Sequence, residues 1–378
     1  MRTKILRFRE KTELPKFLTR NKIPLDSKKV LIQVFTGIIE EKFIKKLQKI
    51  FQKLLPQASL IGTSDCGEIY KDQILEKETV IAFTVFDETA VRTQLIPHDL
   101  KEPNSFVTGQ KIAQTMIQPT TKALIIFSDG LNTNGEDLLK GIEKISPKTT
   151  VSGGLASENL QFKKTFVFTK DQITKKGAAV AALDNPKLIV NSFYTLNWQN
   201  IGEPMTVTKA KKNRVYEINN QPILDIYLKY FGKSSMDEIN QVAGLEFPLV
   251  LHRHGMKIAR NAFIRHKDNS LSFTGNIKED EKVQFGYCDV AVILESATNF
   301  YKKIQAVPFE SIFIYSCISR KGILGQAILQ EIIPLNNLTE VAGFFTYGEF
   351  FHAQDSNELL NNTMTVLTLA EESVKDKK

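Results

Sequence analysis

The sequence contains little cysteine and no long apolar run. Its 378 residues include three cysteines, Cys66, Cys288 and Cys317, which lie far apart and form no Cys-x-x-Cys pair. A sparse, odd-numbered set argues against a disulfide-stabilised secreted domain and favours a reducing compartment. No apolar stretch approaches the roughly 18 residues of a membrane-spanning helix, and the first residues carry charge where a signal peptide has an apolar segment. We therefore expect a cytoplasmic protein without a membrane partner.

The sequence also lacks the motifs of several common enzyme classes. It contains no Gly-x-Gly-x-x-Gly, His-Glu-x-x-His or Gly-x-Ser-x-Gly motif, which would indicate dinucleotide, zinc-protease or serine-hydrolase sites. Residues 130–136 have the glycine spacing of a phosphate-binding loop, but the Lys-Ser/Thr pair that reaches phosphate and magnesium is missing. This absence argues against nucleotide hydrolysis.

The charge balance is mild. Lysine and arginine number 50 and aspartate and glutamate 42, so the formal net charge is +8. Spread over this length, such an excess does not indicate nucleic acid. We recognise no basic helix and no aromatic platform, and the densest basic run, residues 209–214, is typical of a solvated hairpin tip. We expect no nucleic-acid partner.

The sequence does contain a large apolar fraction and a repeated local pattern. Hydrophobic residues make up 42%, including 25 phenylalanines, which is enough for a large core. Three segments each show a β-branched strand, a turn, an amphipathic helix and a second strand that ends at glycine: 29–62, 122–153 and 311–343. This length and alternation are typical of a strand–helix–strand unit with parallel strands. We therefore predict an α/β protein of two domains, with mixed sheets built on three such units.

The predicted domain limits follow changes in composition. Residues 1–28 look like a lead-in segment with one helix at 13–19, and residues 371–378 look like a polar tail. A break follows the predicted helix at 222–232. We expect one α/β domain at 29–232 and a second at 233–370.

Two of the three units end alike. Gly62 to Ile69 and Gly343 to Phe350 share the pattern Gly-x4-Gly-Glu-apolar, which indicates an internal duplication. The carboxyl ends of parallel strands meet at one edge, where open α/β sheets bind ligands. Glu68 and Glu349 could therefore hold an ammonium group, or else each turn is only a corner between strands.

Other polar positions follow the same strands. Gly153 and Gly154 could cradle an anion with their backbone N–H groups, or form only a tight loop. Arg320, at a strand-to-helix junction, could bind a carboxylate in bidentate fashion. Cys317 could be a thiol of lowered pKa at a helix N-terminus, as an enzyme would require, or simply a small buried side chain.

Histidines offer an alternative chemistry. His252 and His254 could place two imidazoles on one face of a strand, and His352 follows the second Gly-Glu turn. Imidazole is an axial ligand of haem iron. The competing interpretation is a solvated strand edge.

At these positions the chain resembles a known family. The first half is similar to the FIST domain and the second half to the companion FIST C-terminal domain. The resemblance rests on seven segments in order: Leu60–Ile69, Val151–Ala156, Thr206–Ala210, Val215–Asn219, Cys317 with Arg320, Gly343–Glu349 and Asn361–Leu367. It covers roughly residues 29–370.

The resemblance implies a sensory input module of intracellular signal transduction. Such modules are thought to bind small ligands, amino acids among them, and members are often joined to kinase, diguanylate-cyclase or chemotaxis output domains. Some members are reported to carry haem and respond to nitric oxide. This chain departs from the pattern in having Cys66 where Ala or another small residue is more usual, and no output domain after residue 370.

We accordingly predict a non-catalytic sensor that binds an amino acid or similar small polar ligand, without cofactor or metal, and signals to a separate output protein such as a histidine kinase or diguanylate cyclase. The alternative is a haem-binding nitric-oxide sensor with His352, His252 or His254 as axial ligand. In the first hypothesis Glu68 or Glu349 meets the ammonium and Arg320 the carboxylate, while Gly153, Gly154 and Asn361 supply backbone and amide contacts. The predicted ligand-binding residues are Thr63, Ser64, Gly67, Glu68, Gly153, Gly154, Cys317, Arg320, Thr346, Gly348, Glu349 and Asn361.

Overall fold

The computed structural model describes residues 1–99, 104–232, 247–353 and 356–371. These residues form helices α1 Glu13–Arg20, α2 Glu41–Leu54, α3 Ser105–Met116, α4 Gly135–Ile145, α5 Ile223–Phe231, α6 Val290–Gln305, α7 Ile318–Leu324 and α8 Leu329–Leu338, with a 3-10 turn Gly325–Ile328 before α8. Their strands are β1 Arg2–Arg7, β2 Val30–Thr36, β3 Ser59–Ser64, β4 Glu68–Tyr70, β5 Gln73–Leu75, β6 Thr79–Val85, β7 Ala90–Pro97, β8 Thr121–Ser128, β9 Thr150–Leu155, β10 Val167–Thr169, β11 Ile173–Thr174, β12 Gly177–Asp184, β13 Leu188–Thr195, β14 Trp198–Lys211, β15 Arg214–Ile218, β16 Gln221–Pro222, β17 Leu249–Arg253, β18 Met256–Arg260, β19 Ala262–Arg265, β20 Leu271–Phe273, β21 Lys282–Cys288, β22 Ser311–Cys317, β23 Val341–Thr346, β24 Glu349–Ala353, β25 Ser356–Leu360 and β26 Met364–Glu371.

Local sequence signals account for some of the helix limits. Asn104 caps α3 by accepting hydrogen bonds from the N–H groups of Phe106 (3.0 Å) and Val107 (3.2 Å), and Asp289 caps α6 through the N–H of Ala291 (2.9 Å). Such side-chain caps satisfy N–H groups that have no partner within the helix. The helix α5 ends before Gly232, whose φ of +77° belongs to the left-handed region that favours glycine.

The three predicted strand–helix–strand units are confirmed. β2 pairs in parallel with β3, β8 with β9, and β22 with β23. Each pair forms the centre of a six-stranded mixed sheet, which confirms the predicted α/β class. In the third unit the connecting helix is broken into α7, a 3-10 turn and α8.

The three six-stranded sheets repeat one strand order. The first is β1-β6-β2-β3-β10-β11, the second is β7-β12-β8-β9-β24-β25, and the third is β13-β26-β22-β23-β4-β5. In each, the outer hairpin comes from the chain just after a different unit. The hairpin after the first unit completes the third sheet, the one after the second completes the first, and the one after the third completes the second. The predicted duplication is therefore one part of a threefold repeat.

The inner faces of the three sheets share one core. Phe35, Phe127 and Tyr315 occupy matching positions in the three sheets. In each sheet, the preceding residue pairs with a glycine of the neighbouring parallel strand. The Phe35 and Phe127 rings pack edge to face at 5.8 Å, and Phe127 and Tyr315 at 6.0 Å. Tyr315 donates its hydroxyl to the side chain of Gln33 (3.0 Å), so this buried phenol keeps a hydrogen bond.

A fourth sheet is inserted into the third repeat. Between β13 and α6 the chain forms β14 to β21 and α5, with strand order β18-β17-β21-β14-β15-β20-β19 and β16 beside β15. We call this part the inserted sheet. It has its own apolar core, in which Tyr227 of α5 packs edge to face on Phe285 at 4.9 Å. The hairpin predicted at 209–214 is confirmed, since Lys211 pairs with Arg214 across the turn.

The ends of the chain add strands that the sequence did not suggest. Arg2–Arg7 pairs antiparallel with β6, so residues 1–28 hold a sheet edge as well as the predicted helix. Glu371 closes β26, while residues 372–378 of the predicted tail lie outside the described residues. The predicted domain limits stay a prediction, and hydrogen-bonded sheets join both sides of residue 232, as β4 with β23 and β13 with β26. No helix within the described ranges is long and apolar enough to cross a membrane.

We predict that Gly343→Ala destabilises the protein, whereas Gly322→Ala does not. A Cβ at Gly343 would overlap the carbonyl oxygen of Ile314 on the neighbouring strand. Backbone overlap of this kind costs about 1–3 kcal/mol or more. In α7 a Cβ at Gly322 meets nothing within 4 Å, so alanine there stabilises the helix by about 0.5–1 kcal/mol. Urea unfolding measures both, and equal stability of the two variants would contradict the packing argument.

Candidate functional site

A cavity of about 680 Å³ lies where the second and third repeats meet the inserted sheet. The repeats contribute segments that follow the carboxyl ends of β8, β9 and β22, the edge at which open α/β sheets bind ligands. Its lining is formed by Gly130, Leu131, Asn132, Thr133, Asn134, Gly135, Leu155, Leu160, Phe162, Asn213, Asn261, Phe263, Ile264, Phe273, Thr274, Gly275, Cys317, Ile318, Ser319, Tyr347, Leu359 and Asn361. None of these described lining residues has a charged side chain.

The loop Gly130–Gly135 forms one wall of the cavity, and hydrogen bonds to Asp129 hold the loop in place. The buried Asp129 carboxylate accepts hydrogen bonds from the N–H of Asn132 (2.7 Å), the hydroxyl of Thr133 (2.8 Å) and the N–H of Gly177 (3.0 Å). Burial acts to raise the pKa of Asp129, but these bonds and one from His98 outweigh it and hold the pKa below its usual value. An ionised carboxylate therefore fixes the loop.

His98 supports the same loop. Its Nε2 lies 2.8 Å from the Thr133 hydroxyl and 3.4 Å from Asp129, and its Nδ1 lies 2.8 Å from the Thr108 hydroxyl. The imidazole is buried, so both ring nitrogens are satisfied by protein groups. Thr133, which lines the cavity, is thereby held in a fixed hydrogen-bond network.

The opposite wall contains Asn361, which is oriented by Arg260. The Arg260 guanidinium is fully buried and donates to Asn361 Oδ1 (3.1 Å) and to the carbonyl of Leu359 (3.0 Å). The Asn361 amide in turn donates to the carbonyl of Tyr347 (3.2 Å). The Asn361 side chain therefore joins the inserted sheet to the turn after β23.

Beneath the cavity, an ion-pair network links α4 to the inserted sheet. Glu136 lies 2.9 Å from Arg253 and 3.4 Å from Arg260, and also accepts the N–H of Asn276 (2.9 Å). Arg253 makes a bidentate pair with Glu281 at 2.7 and 2.9 Å. Burial acts to raise the pKa of Glu136, but the two arginines outweigh it and the pKa falls below its usual value. We call these five residues the Glu136 network.

The cavity mouth carries exposed apolar side chains. Leu160, Phe162 and Ile264 are 37%, 53% and 42% exposed. Phe162 stacks on Tyr347 with ring centroids 5.6 Å apart. Both Leu160 (φ 55°) and Phe162 (φ 51°) adopt the left-handed region, which is strained for bulky residues. Strain of this kind concentrates at ligand sites.

Of the predicted ligand-binding residues, Cys317 and Asn361 line this cavity. Burial raises the pKa of the Cys317 thiol to about 12, so the thiol is protonated near neutral pH. This supports the interpretation of Cys317 as a small buried side chain and gives no support to an activated thiolate.

The two Gly-Glu turns lie in different sheets and use their carboxylates internally. Glu68 accepts the N–H groups of Gly37 (2.5 Å) and Glu78 (3.3 Å). Glu349 accepts the hydroxyls of Thr346 and Thr363, the latter at 2.5 Å. Both carboxylates are fully buried. The structure favours the interpretation of each turn as a corner between strands, and neither glutamate lines the cavity.

Arg320 and the glycine pair are also internal. Arg320 is fully buried, pairs with Glu331 and donates to the carbonyl of Asn362 (3.2 Å), so the chain itself supplies the carboxylate expected from a ligand. Gly153 and Gly154 lie within β9 and pair with β24, so they form no anion cradle. The remaining predicted residues are buried and do not line the cavity: Thr63, Ser64, Gly67, Thr346 and Gly348.

The histidines proposed for haem lie elsewhere. His252 lies in β17 of the β17–β18 hairpin. His254 lies in the turn of this hairpin, and its side chain is 64% exposed. His352 lies in β24, where its Nδ1 is 2.9 Å from Asn357 Oδ1. None of the three lines the cavity. Among the described residues, no group of three or more His, Cys, Asp or Glu side chains is arranged to hold a metal ion. The haem alternative stays a prediction.

Most of the cavity lining was not predictable from the sequence. Residues 130–136 have the glycine spacing of a phosphate-binding loop, but without its lysine they predict no nucleotide site. The asparagines Asn132, Asn134, Asn213 and Asn261 line the wall from three separate segments. A cluster of asparagines near glycines was the available signal in the first of these segments, whereas nothing local marked Asn213 or Asn261.

We predict that Glu349 makes the protein less stable as the pH rises. Burial raises the pKa of Glu349 from 4.5 to about 8. Between these values the folded state binds a proton that the unfolded state has lost. The stabilisation present below about pH 4.5 is therefore lost as the pH rises through about 8.

Glu349→Gln should flatten this dependence by up to about 1.4 kcal/mol per pH unit. Urea unfolding across this pH range measures it. The exposed Glu203→Gln is the matched control and should keep the wild-type slope. An unchanged slope in Glu349→Gln would show that the carboxyl is not protonated in the folded protein.

Comparison with known protein families gives two adjacent matches. The FIST N domain family matches residues 30–221, and the FIST C domain family matches residues 224–352. No curated protein matches the chain. These matches cover most of the chain, and proteins of this family are associated with signal transduction by sensing small ligands. The chain therefore belongs to the FIST family, with the N and C domains in tandem.

Proposed function

We propose that this protein is a sensory module whose small polar ligand binds in the cavity between the second repeat, the third repeat and the inserted sheet. The observation that carries the proposal is the cavity itself, about 680 Å³ in volume and placed at the carboxyl ends of three strands. This volume lies within the range of sites for small molecules, about 300–1,000 Å³.

The lining favours an uncharged ligand with an apolar body. Five asparagines and the hydroxyls of Thr133, Thr274 and Ser319 supply hydrogen-bond donors and acceptors, and aromatic rings supply apolar surface. None of the described lining residues offers a charge to a ligand ion, and desolvating a charge without a partner is costly. The free amino acid predicted from the sequence is the competing ligand class. It is less favoured because the charged side chains predicted to bind it, Glu68, Glu349 and Arg320, have partners within the protein.

The position of the cavity suits a sensor. A ligand there contacts two repeats and the inserted sheet together, so it can shift an equilibrium between arrangements of these parts. The shift is limited by the ligand's difference in affinity for the two arrangements. A separate output protein, such as a histidine kinase or diguanylate cyclase, would read the change.

A thermal-shift screen tests the ligand class. The panel pairs each free amino acid with its N-acetyl amide, which keeps the side chain and removes both charges. Ligand at about a hundred times its Kd stabilises the native state by about 2.7 kcal/mol. We expect upward shifts for neutral members with apolar side chains. Shifts confined to the free amino acids would favour the predicted zwitterion, and a flat screen would argue against this ligand class.

A cavity-filling variant tests the location. Ile318→Trp places a large ring in the cavity and should weaken binding of any hit at least tenfold, about 1.4 kcal/mol. Ile333→Trp in α8, where the native side chain is 40% exposed, is the matched control and should bind normally. Isothermal titration calorimetry measures both. Equal affinity in the two variants would place the ligand elsewhere.

A further inference from the structure

The exposed side of α2 carries a row of lysines. Its other side is packed in the core through Ile44, Leu47 and Phe51, all 1% exposed or less. The exposed side presents Lys42, Lys45, Lys46, Lys49 and Lys53. The expectation that the chain has no basic helix is therefore wrong, since in α2 the lysines alternate with the core residues.

The lysine surface continues onto the neighbouring hairpin. Gln48 of α2 donates to the carbonyl of Thr169 (2.8 Å), and Gln52 donates to the carbonyl of Lys170 (3.1 Å), which fixes hairpin β10–β11 against α2. The loop before the hairpin, the hairpin itself and the residues just after it add Lys163, Lys164, Lys170, Lys175 and Lys176. We call these ten lysines the basic face.

The basic face has few opposing charges. Its own segments contribute Glu40, Glu41, Asp171 and the buried Glu158, and Glu41 pairs with Lys45 at 2.7 Å. Within the described part of the chain, Lys42, Lys46 and Lys49 make no ion pair within 4.0 Å. Like charges held together on a folded surface create a positive potential, which attracts and orients an oppositely charged partner.

The composition of the face selects among anionic partners. All ten cations are lysines, whereas arginine is favoured for bidentate recognition of phosphate. A helix that binds a membrane surface inserts its apolar side, and in α2 that side is already buried in the core. An acidic protein surface requires neither feature. Lysine is depleted from the centres of stable interfaces, so the contact suits a transient, electrostatically steered encounter.

We propose that the basic face is the docking surface for an acidic protein partner. It lies beside the cavity, because Lys163 and Lys164 directly follow Phe162 at the mouth. The inference goes beyond the proposed ligand site and does not depend on the ligand's identity.

The test uses a fluorescein-labelled peptide rich in glutamate and aspartate as the probe. The triple variant Lys42→Glu, Lys46→Glu and Lys49→Glu reverses three charges on the exposed side of α2. We expect its association rate constant, measured by stopped-flow anisotropy at low salt, to fall on the order of tenfold. Raising the salt should reduce the difference, since screening weakens steering between exposed charges.

A second triple variant controls for overall charge. Lys111→Glu, Lys187→Glu and Lys267→Glu reverse three exposed lysines on other elements and should bind the peptide nearly as the wild type does. Equal weakening in both variants would overturn the proposal, because net charge alone would explain it. Tighter binding of duplex DNA or phosphatidylserine vesicles through α2 would also overturn it.

The ligand screen separates this inference from the proposed function. The α2 variant should melt at the wild-type temperature and keep every thermal shift, because none of its substituted residues lines the cavity. Loss of peptide binding with intact shifts supports the basic face. A flat ligand screen leaves the peptide measurement valid and contradicts only the cavity proposal.

Discussion

The exchange of hairpins among the three sheets is the constraint on which the structure depends. Each six-stranded sheet is built on one strand–helix–strand unit and takes its outer hairpin from the chain that follows a different unit. Each sheet is therefore joined by hydrogen bonds to one of the other two repeats. The shared core, with Phe35, Phe127 and Tyr315 at matching positions, follows from this arrangement. The close approach at Gly343 follows as well, since the glycine lies between β22 and a hairpin contributed by the first repeat.

Charges stabilise the candidate site from behind its wall. The Glu136 network joins α4 to the inserted sheet, and Asp129 fixes the loop of the facing wall, yet the described lining carries no charge. Removing one partner of a buried ion pair typically costs 3–5 kcal/mol. These ion pairs join α4 to the inserted sheet, and the cavity between them is lined by neutral amides and apolar side chains.

The sequence predicted what depends on neighbouring residues and missed what depends on distant ones. The strand–helix–strand units were predictable because apolar spacing and glycine positions repeat within about thirty residues. The hairpin exchange was not, since it pairs Gly343 with Ile69. The repeated pattern at Glu68 and Glu349 allows either a ligand contact or a corner between strands, and the internal hydrogen bonds of both side chains favour the corner. The asparagines of the cavity come from separate segments, and their proximity is a product of the inserted sheet's position.

One short loop connects the cavity to the basic face. Glu158 holds it by accepting the N–H groups of Gln161 and Phe162 and the hydroxyl of Tyr347. Left-handed backbone at a bulky residue costs of order 1–3 kcal/mol and persists only where the surroundings enforce it. Here the enforcing contacts are that carboxylate and the stacking of Phe162 on Tyr347. The loop that carries Lys163 and Lys164 is therefore held by contacts that include two rings of the cavity lining.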